Sequence, residues 1–188
     1  MTSTLAQPAA IARTAAANAD RAFEAALREN QSMVFSLAFH FLQDHAAAEE
    51  LAQEVFLELY RHWSDIQSRE HLVHWLRKVS SRRCIDQARR RKLRRHVSLD
   101  DAPEPFSLMP ATDPLVKRYT EQLLAALADA PRMIVILRYQ EGLEPAEIAG
   151  LLEMPLATVK SHLQRSLALL RRKLAFTSPD EKKPMDKL

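Results

Sequence analysis

The sequence predicts an all-α protein made of two small helical domains joined by a flexible linker. Apolar residues recur at steps of three and four along most of the chain, which is the spacing that places them on one face of a helix. Residues 96–114 interrupt this pattern with four prolines and several acids, so they separate two helical regions. The length of 188 residues also suits one large domain or two small ones.

The composition excludes several classes of protein. Only two glycines occur, Gly142 and Gly150, so the paired glycines of dinucleotide-binding and P-loop motifs are missing. The longest run of large aliphatic residues, 133–137, is far shorter than the ~20 residues that span a bilayer. The alanine-rich start has no basic leader and contains Arg13, so we expect no signal peptide. Cys84 is the single cysteine, which excludes an internal disulfide and a cysteine zinc cluster and fits a reducing cytoplasm.

The first helical region covers residues 20–95. Residues 1–19 carry no sustained apolar stripe, and we expect a disordered or weakly helical extension there. Helices are predicted near 20–29 and 31–43, and Asp44 is placed to cap a third helix. The apolar stripe of that third helix consists of Leu51, Val55, Phe56, Leu59, Tyr60 and Trp63. Its remaining surface is acidic.

A polar segment, 64–70, leads into a long helix predicted over residues 71–94. The inward residues of this helix are Leu72, Trp75, Leu76, Val79, Ile85 and Ala88. We expect Trp75 to be part of the core more readily than a platform for stacking bases. Cys84 lies beside Arg82 and Arg83, which allows either a reactive thiol of lowered pKa or a small residue of the packed core; the second fits a packed helix better.

The second helical region covers residues 115–174. Helical spacing resumes at Leu115, Pro131 stands where a new helix can start, and Gly142 is a natural stop. Pro145 then opens a short helix to residue 152, a turn follows at 153–155, and a last helix is predicted over 156–174. The tail, 175–188, is charged and carries two prolines, so we expect it to be disordered.

Positive charge is concentrated on two helices. Residues 77–95 contain ten Lys or Arg and one acid, a net charge of +9, although the whole chain carries only +3. The last helix adds a second basic run, with no acid between residues 155 and 178. Two separate cationic faces suggest two contacts with one polyanion.

Residues 144–174 read as helix, tight turn and basic helix, which is the helix-turn-helix arrangement that enters the major groove of DNA. A small core would consist of Ile148, Ala149, Leu152, Val159 and Leu163. The outward side chains near the start of the second helix are Thr158, Lys160, Ser161, His162, Gln164 and Arg165. From the turn alone, an ordinary helical hairpin with a solvated basic face stays open as an alternative.

Three segments together make a family resemblance specific. They are AEELAQEVFLELYRHW (48–63), WLRKVSSRRCIDQARRRK (75–92) and RMIVILRYQEGLEPAEIAGLLEMPLATVKSHLQRSLALLRRKL (132–174). They resemble regions 2 and 4 of the extracytoplasmic-function group of sigma-70 family sigma factors, the promoter-specificity subunits of bacterial RNA polymerase. The resemblance covers residues 20–95 and 115–174 in the family's order. It implies a region 2-like bundle and a region 4-like helix-turn-helix domain in a cytoplasmic bacterial protein.

The resemblance also implies roles for individual positions. Core polymerase would dock on Glu50, Gln53, Glu54 and Arg61. The segment 64–70 and the basic helix after it would capture the melted −10 promoter element, with phosphate contacts from Arg77, Arg82, Arg83, Arg89 and Arg90. The outward residues of the recognition helix would read the −35 element. The acidic linker would mimic nucleic acid in the polymerase cleft, and its alternative is a solvated tether; an anti-sigma factor is an implied partner.

Three positions depart from the family's pattern. Residues 127–132, Leu-Ala-Asp-Ala-Pro-Arg, replace the usual Leu-Pro-Pro opening, and His162 stands where arginine is frequent. Glu153 occupies the turn position at which the family commonly has glycine. If that turn requires a positive φ, Glu153 is strained there.

Other functions find less support in the residues. No catalytic grouping of side chains is recognisable, so we expect a protein that is not an enzyme and needs no cofactor. Glu70, His71 and His74 have helical spacing but are too few for a complete metal site. The alternatives are a free-standing helix-turn-helix regulator, which has no use for the second basic domain, and a nucleic-acid enzyme such as a recombinase fragment.

Overall fold

The computed structural model describes the backbone of residues 7–95 and 114–177 and the side chains of residues 18–93 and 120–173. Within these ranges the chain forms seven α-helices and no strand. They are α1 (Gln7–Leu42), α2 (His45–Arg61), α3 (Arg69–Arg95), α4 (Pro114–Ala125), α5 (Asp129–Tyr139), α6 (Pro145–Leu152) and α7 (Leu156–Thr177), with a short 3-10 turn at Trp63–Asp65. The all-α fold class is confirmed.

Helix α1 is longer and more continuous than the sequence analysis predicted. The break expected between 29 and 31 is wrong, since α1 continues through Asn30. The buried side-chain amide of Asn30 donates to the Ala26 carbonyl oxygen at 2.8 Å, so its polar group is satisfied within the helix. Residues 7–19, expected to be disordered or weakly helical, continue the same helix, as their high alanine content favours. Residues 1–6 lie outside the described residues.

The turn between α1 and α2 follows from local chemistry. Gln43 takes a φ of 55° and ends α1, and its amide donates to the Phe39 carbonyl oxygen at 2.8 Å. Asp44 then caps α2, with its Oδ1 accepting from the Ala47 amide at 3.0 Å. The cap predicted at Asp44 is confirmed.

The first three helices form one bundle. Its most deeply buried side chains come from all three helices: Val34, Leu37 and Phe41 of α1, Val55 and Leu59 of α2, and Leu76 and Cys84 of α3. Trp75 is half-buried against this core. Tyr60 was predicted to face inward, and the structure corrects this, since 59% of the residue is exposed.

Helices α5 to α7 form the second bundle around Met133, Ile134, Leu137, Ile148 and Val159, all of which are fully buried, and α4 lies against α1. Leu151 is the buried residue at the end of α6, whereas Leu152, predicted for the core, is only half-buried. The linker predicted at 96–114 lies outside the described residues except for Pro114, the first residue of α4. Of the tail predicted to be disordered, residues 175–177 belong to α7, and 178–188 lie outside the described residues.

The two bundles pack against each other. Helix α5 contacts α1 and α3, and α6 contacts α3, so the buried apolar residues of both bundles form one continuous cluster. The basic helix α3 is therefore close to the short helix that begins the helix-turn-helix.

Candidate nucleic-acid interface

Three cations of α3 between residues 77 and 82 face acids of the second bundle. Arg77 Nε lies 3.0 Å from Glu141 Oε2, and this carboxylate side chain is only 7% exposed. Lys78 Nζ and Arg82 Nη2 lie 2.9 Å and 2.6 Å from the same Glu153 Oε1. Two of the positions predicted to hold the −10 element, Arg77 and Arg82, are thus engaged across the bundles.

A third predicted position, Arg83, joins α3 to α2. Its Nε donates to Glu58 Oε2 at 2.9 Å, and its two terminal nitrogens pair with Glu54 and Glu58. These contacts, with the Glu58 hydrogen bond foremost, raise the pKa of the Arg83 guanidinium. Arg83, predicted to bind DNA, and Glu54, predicted to bind polymerase, are therefore partners of each other.

The C-terminal part of α3 carries the more exposed cations. Arg89 and Arg90 are exposed, and Arg91 pairs with Asp44 through Nη2 and Oδ2 at 3.0 Å. Lys92 Nζ reaches Asp129 Oδ2 of the second bundle at 2.7 Å. Arg89 and Arg90 are the predicted −10 residues that are exposed and form no ion pair within the described side chains.

The segment before α3 makes local hydrogen bonds to the first turn of that helix. Ser68 Oγ accepts from the His71 amide at 3.1 Å, and His71 Nδ1 accepts from the Gln67 amide at 3.3 Å. The Nδ1 atom of His71 therefore has a hydrogen-bond partner within its own segment. Within the described side chains, no group of three His, Cys, Asp or Glu is placed to hold a metal ion.

The recognition helix α7 presents its predicted residues unequally. Lys160, Gln164 and Arg165 are exposed, whereas Thr158, Ser161 and His162 are half-buried. Helix α7 packs chiefly on α5 and α6. Its exposed basic side therefore remains outward while the bundles are in contact.

The turn between α6 and α7 places Glu153 at a positive φ, the case in which the sequence analysis expected strain. Glu153 takes φ 54° and ψ 45°, the left-handed region, and the Met154 amide donates to the Ala149 carbonyl oxygen at 2.9 Å. At the other end of α6, the Glu144 amide donates to Glu147 Oε2 at 2.7 Å and closes a capping box. Local hydrogen bonds therefore satisfy backbone groups at both ends of α6.

The predicted polymerase-binding residues lie along α2. Glu50, Gln53, Glu54 and Arg61 are all exposed. Sequence reasoning missed the adjoining apolar groove of about 840 Å³ between α1 and α2. Its apolar lining includes Phe23, Leu27, Phe35, Phe56, Leu57 and Tyr60. The sequence signal for this groove was Leu57, a large apolar residue outside the inward stripe of α2. In the structure Leu57 is 59% exposed.

Cys84 is a residue of the core. It is fully buried, and burial raises the pKa of its thiol. Arg82 and Arg83, its neighbours in sequence, point to the carboxylates described above. This geometry supports the packed-core interpretation over the reactive thiol.

One further finding concerns membranes: none of the described helices is long and apolar enough to cross a bilayer.

Comparison with known proteins matches both bundles to one family. The family models "Sigma-70 region 2" and "Sigma-70, region 4" match residues 26–94 and 117–170. The ECF RNA polymerase sigma factor SigK of Mycobacterium tuberculosis is 30% identical over 170 residues, covering 86% of this chain and 90% of SigK. A probable RNA polymerase sigma factor, RfaY of Xanthomonas campestris, is 27% identical over 85% of this chain, which spans 42% of RfaY.

Two solved structures share the fold. The sigma factor RpoE of Bartonella quintana, in complex with the anti-sigma factor NepR, superposes with a TM-score of 0.70 at 19% identity, covering 84% of this chain and 99% of RpoE. CnrH, in complex with the cytosolic domain of CnrY, gives 0.60 at 18% identity, covering 88% and 98%. With both domains matched in order and a relative that is 30% identical over nearly its whole length, this chain belongs to the extracytoplasmic-function sigma factors of the sigma-70 family.

Proposed function

We propose that this sigma factor binds core RNA polymerase in the bacterial cytoplasm, directs it to promoters that carry −35 and −10 elements, and helps to open the DNA. The observation that carries this proposal is the presence of one strongly basic helix in each of the two matched domains, α3 and α7. The polymerase performs the chemistry, and the sigma factor contributes binding and melting without catalysis of its own.

We assign the −35 element to α7. The exposed side chains of Lys160, Gln164 and Arg165 suit a helix that lies in the major groove, where arginine and lysine contact guanine or phosphate and glutamine pairs with adenine. Thr158, Ser161 and His162 are half-buried beside them and would contact the DNA only close to the backbone of α7. Arg165 is the best single position at which to test this assignment.

We assign the single-stranded −10 element to the segment 64–70 and to the cations of α3. Arg89 and Arg90 are exposed, so their guanidinium groups are accessible to a nucleic-acid backbone. Arg77 and Arg82 become available once Glu141 and Glu153 release them. Arg83 is held by Glu54 and Glu58, so its role includes fixing α3 against α2.

We assign polymerase docking to α2. Gln53 lines the apolar groove between α1 and α2, and Glu50 and Arg61 are exposed polar groups elsewhere on the same helix. An apolar centre with polar groups around it is the usual composition of an interface. Gln53→Ala and Leu57→Ala should each weaken association with core polymerase. Glu24→Gln, which alters an exposed acid paired with Arg28 on α1, is the matched control.

An anti-sigma factor is the proposed regulatory partner. Support comes from the two similar folds, which were solved as RpoE with the anti-sigma factor NepR and as CnrH with the cytosolic domain of CnrY. Purification of this chain from its own cells with a stoichiometric protein other than polymerase subunits would support the assignment. Recovery with polymerase subunits alone under all growth conditions would contradict it.

In vitro transcription tests the function as a whole. Core polymerase is given a pool of genomic promoter fragments with and without the chain, and start sites that appear only with the chain should share paired upstream and downstream elements. Absence of new start sites together with no association with core enzyme would instead favour a free-standing regulator.

Variants test the division between the two domains. Arg165→Ala should weaken binding to the closed duplex promoter, whereas Arg89→Ala combined with Arg90→Ala should impair melting more than initial binding. The second pair is preferable to Arg82→Ala with Arg83→Ala because Arg89 and Arg90 are exposed and outside the α2–α3 ion pairs. Equal losses at both steps for both variants would contradict the division, and all binding should weaken steeply with salt.

A further inference from the structure

The acids that hold the two domains together occupy cations of the proposed −10 surface. Glu141 pairs with Arg77, and Glu153 pairs with Lys78 and Arg82, so three cations within six residues of α3 have partners in the second domain. A nucleic-acid backbone would require the same cations. The acids and the DNA strand are therefore alternative partners of one surface.

The pair between Arg77 and Glu141 is well shielded from water. The Arg77 side chain is 23% exposed and that of Glu141 is 7% exposed. Separating such a pair without a replacement leaves a poorly solvated carboxylate, which opposes spontaneous opening. A DNA phosphate that pairs with Arg77 leaves Glu141 as a poorly solvated, unpaired carboxylate until the domains move apart.

Glu153 supplies a second and independent observation. Its backbone lies in the left-handed region, where glycine avoids the steric conflict that any Cβ creates. The chain nevertheless has a side chain at this position, and its carboxylate lies between Lys78 and Arg82. The Lys78 hydrogen bond, followed by the Arg82 charge, lowers the pKa of Glu153 from its ordinary value.

Other contacts hold the domains in the same relative position. Gln43 Nε2 donates to the Glu121 carbonyl oxygen at 2.6 Å, and Gln140 Nε2 donates to Ser36 Oγ at 3.1 Å. These bonds connect the end of α1 and its following turn to α4 and the end of α5. The ion pairs of α3 are thus part of an extended interface.

We propose that Glu141 and Glu153 form an autoinhibitory latch, in which the helix-turn-helix domain of the free chain masks Arg77, Lys78 and Arg82 until DNA or polymerase separates the domains. The masking of DNA contacts rests on the proposed function of α3. The closed contact between the domains does not, and it is measured separately below. In this arrangement the strained glutamate stabilises the closed state and weakens nucleic-acid binding by the free chain.

The test uses the full chain with three single variants. Glu153→Gln removes the charge and keeps the backbone strain, whereas Glu153→Gly removes both. Glu24→Gln removes the same charge from α1, far along the chain from the latch, and controls for net charge. Glu153→Gly also controls for misfolding, because glycine removes the backbone strain in the turn. This variant should leave the thermal midpoint of unfolding unchanged or raised.

The first readout is the distance between domains. Dyes are attached to cysteines that replace the exposed Ala22 and Ala168, while buried Cys84 remains unlabelled. Energy transfer between the dyes should fall in both Glu153 variants and in high salt, and should stay at the unmodified level in Glu24→Gln. Equal transfer in all four proteins would overturn the latch and leave the proposed function untouched.

The second readout is the affinity of the free chain for a fluorescent single-stranded oligonucleotide carrying a promoter's non-template −10 sequence. Both Glu153 variants should bind at least about fivefold more tightly than Glu24→Gln, a typical size for coupling between two states. Adding Lys78→Ala and Arg82→Ala to Glu153→Gln should remove that gain. Domains that separate without any gain, or a gain that survives the added substitutions, would overturn masking of these cations.

Discussion

Arg132 of the second domain binds the end of the first helix at Phe41. Its Nη1 donates to the Phe41 carbonyl oxygen at 3.1 Å, and its Cζ lies 5.4 Å from the centroid of the Phe41 ring. The same guanidinium donates to the carbonyl oxygens of Leu124, Ala125 and Leu127. One side chain therefore satisfies carbonyls at the ends of both α1 and α4.

Replacing Arg132 should destabilise the whole chain. Arg132→Lys keeps the charge but lacks the planar fork that reaches four carbonyls, so we expect a loss of about 2 kcal/mol in the free energy of unfolding. Chemical denaturation measures this value. Arg28→Lys, at an exposed pair on α1, should change it by less than about 0.5 kcal/mol, and a similar loss in both variants would contradict the role of Arg132.

Asp44 should contribute to stability mainly as a helix cap. Asp44→Ala should lose about 1 kcal/mol in the free energy of unfolding, as is typical of such caps. Asp44→Asn keeps an oxygen for the Ala47 amide and loses only the pair with Arg91, so it should lose less. Equal losses, measured by denaturation at neutral pH, would assign the effect to the ion pair.

The contribution of Asp44 should also depend on pH. The Ala47 hydrogen bond, aided by the charge of Arg91, lowers the pKa of Asp44 from its ordinary value of 3.8. A carboxylate whose pKa is lowered by folding stabilises the protein above the ordinary value and loses this effect as the pH falls through the lowered value. The stability difference between the unmodified chain and Asp44→Asn should therefore be constant above about pH 5 and shrink toward pH 3. A constant difference down to that pH would contradict the assignment.

The two glycines should respond to alanine with opposite signs. Gly150 lies in α6, and outside its own helical turn no atom lies within 4 Å of the place that an added Cβ would take. Gly150→Ala should therefore stabilise the chain by about 0.5 to 1 kcal/mol. Gly142 has a φ of 69°, so Gly142→Ala should destabilise it by about 1 kcal/mol. Thermal midpoints of the two variants check both signs, and a shared sign would contradict the backbone argument.

The thiol of Cys84 should be inert in the folded protein. Because burial raises its pKa, an alkylating reagent near pH 8 should react more than about a hundredfold more slowly with Cys84 than with a cysteine at exposed position Ala168→Cys. Denaturant should abolish the difference. Rapid alkylation of the native chain would revive the reactive-thiol alternative.

Sequence patterns were sufficient where structure depends on near neighbours. The Asp44 cap and the start of α6 at Pro145 each depend on a few adjacent residues, and both are found as predicted. Strain at Glu153 was expected only on the condition that the turn requires a positive φ, and the structure meets that condition. The exposure of Lys160, Gln164 and Arg165 likewise follows from the spacing of Val159 and Leu163 on the same helix. The periodicity of apolar residues also predicted the all-α fold class.

The break predicted in α1 and the position of Tyr60 show where local patterns fail. Asn30 has a poor helix propensity, but burial against the bundle and a bond to Ala26 keep it helical. Tyr60 continues the apolar stripe of α2, yet α1 covers only one edge of the tyrosine ring. The contact is made by Phe23, whose ring centroid lies 5.1 Å from that of Tyr60. How wide a stripe is buried depends on the neighbouring helices.

The sequence by itself determined the helices after α1, the two-domain order and the two basic faces, because the helices and their faces arise from residues one or two helical turns apart. Only the tertiary structure decided which charges meet. Arg77 and Glu141 are 64 positions apart, and no periodicity relates them. Their pairing depends on how α5 and α6 pack against α3, and that packing turns an open basic helix into one whose cations are partly occupied.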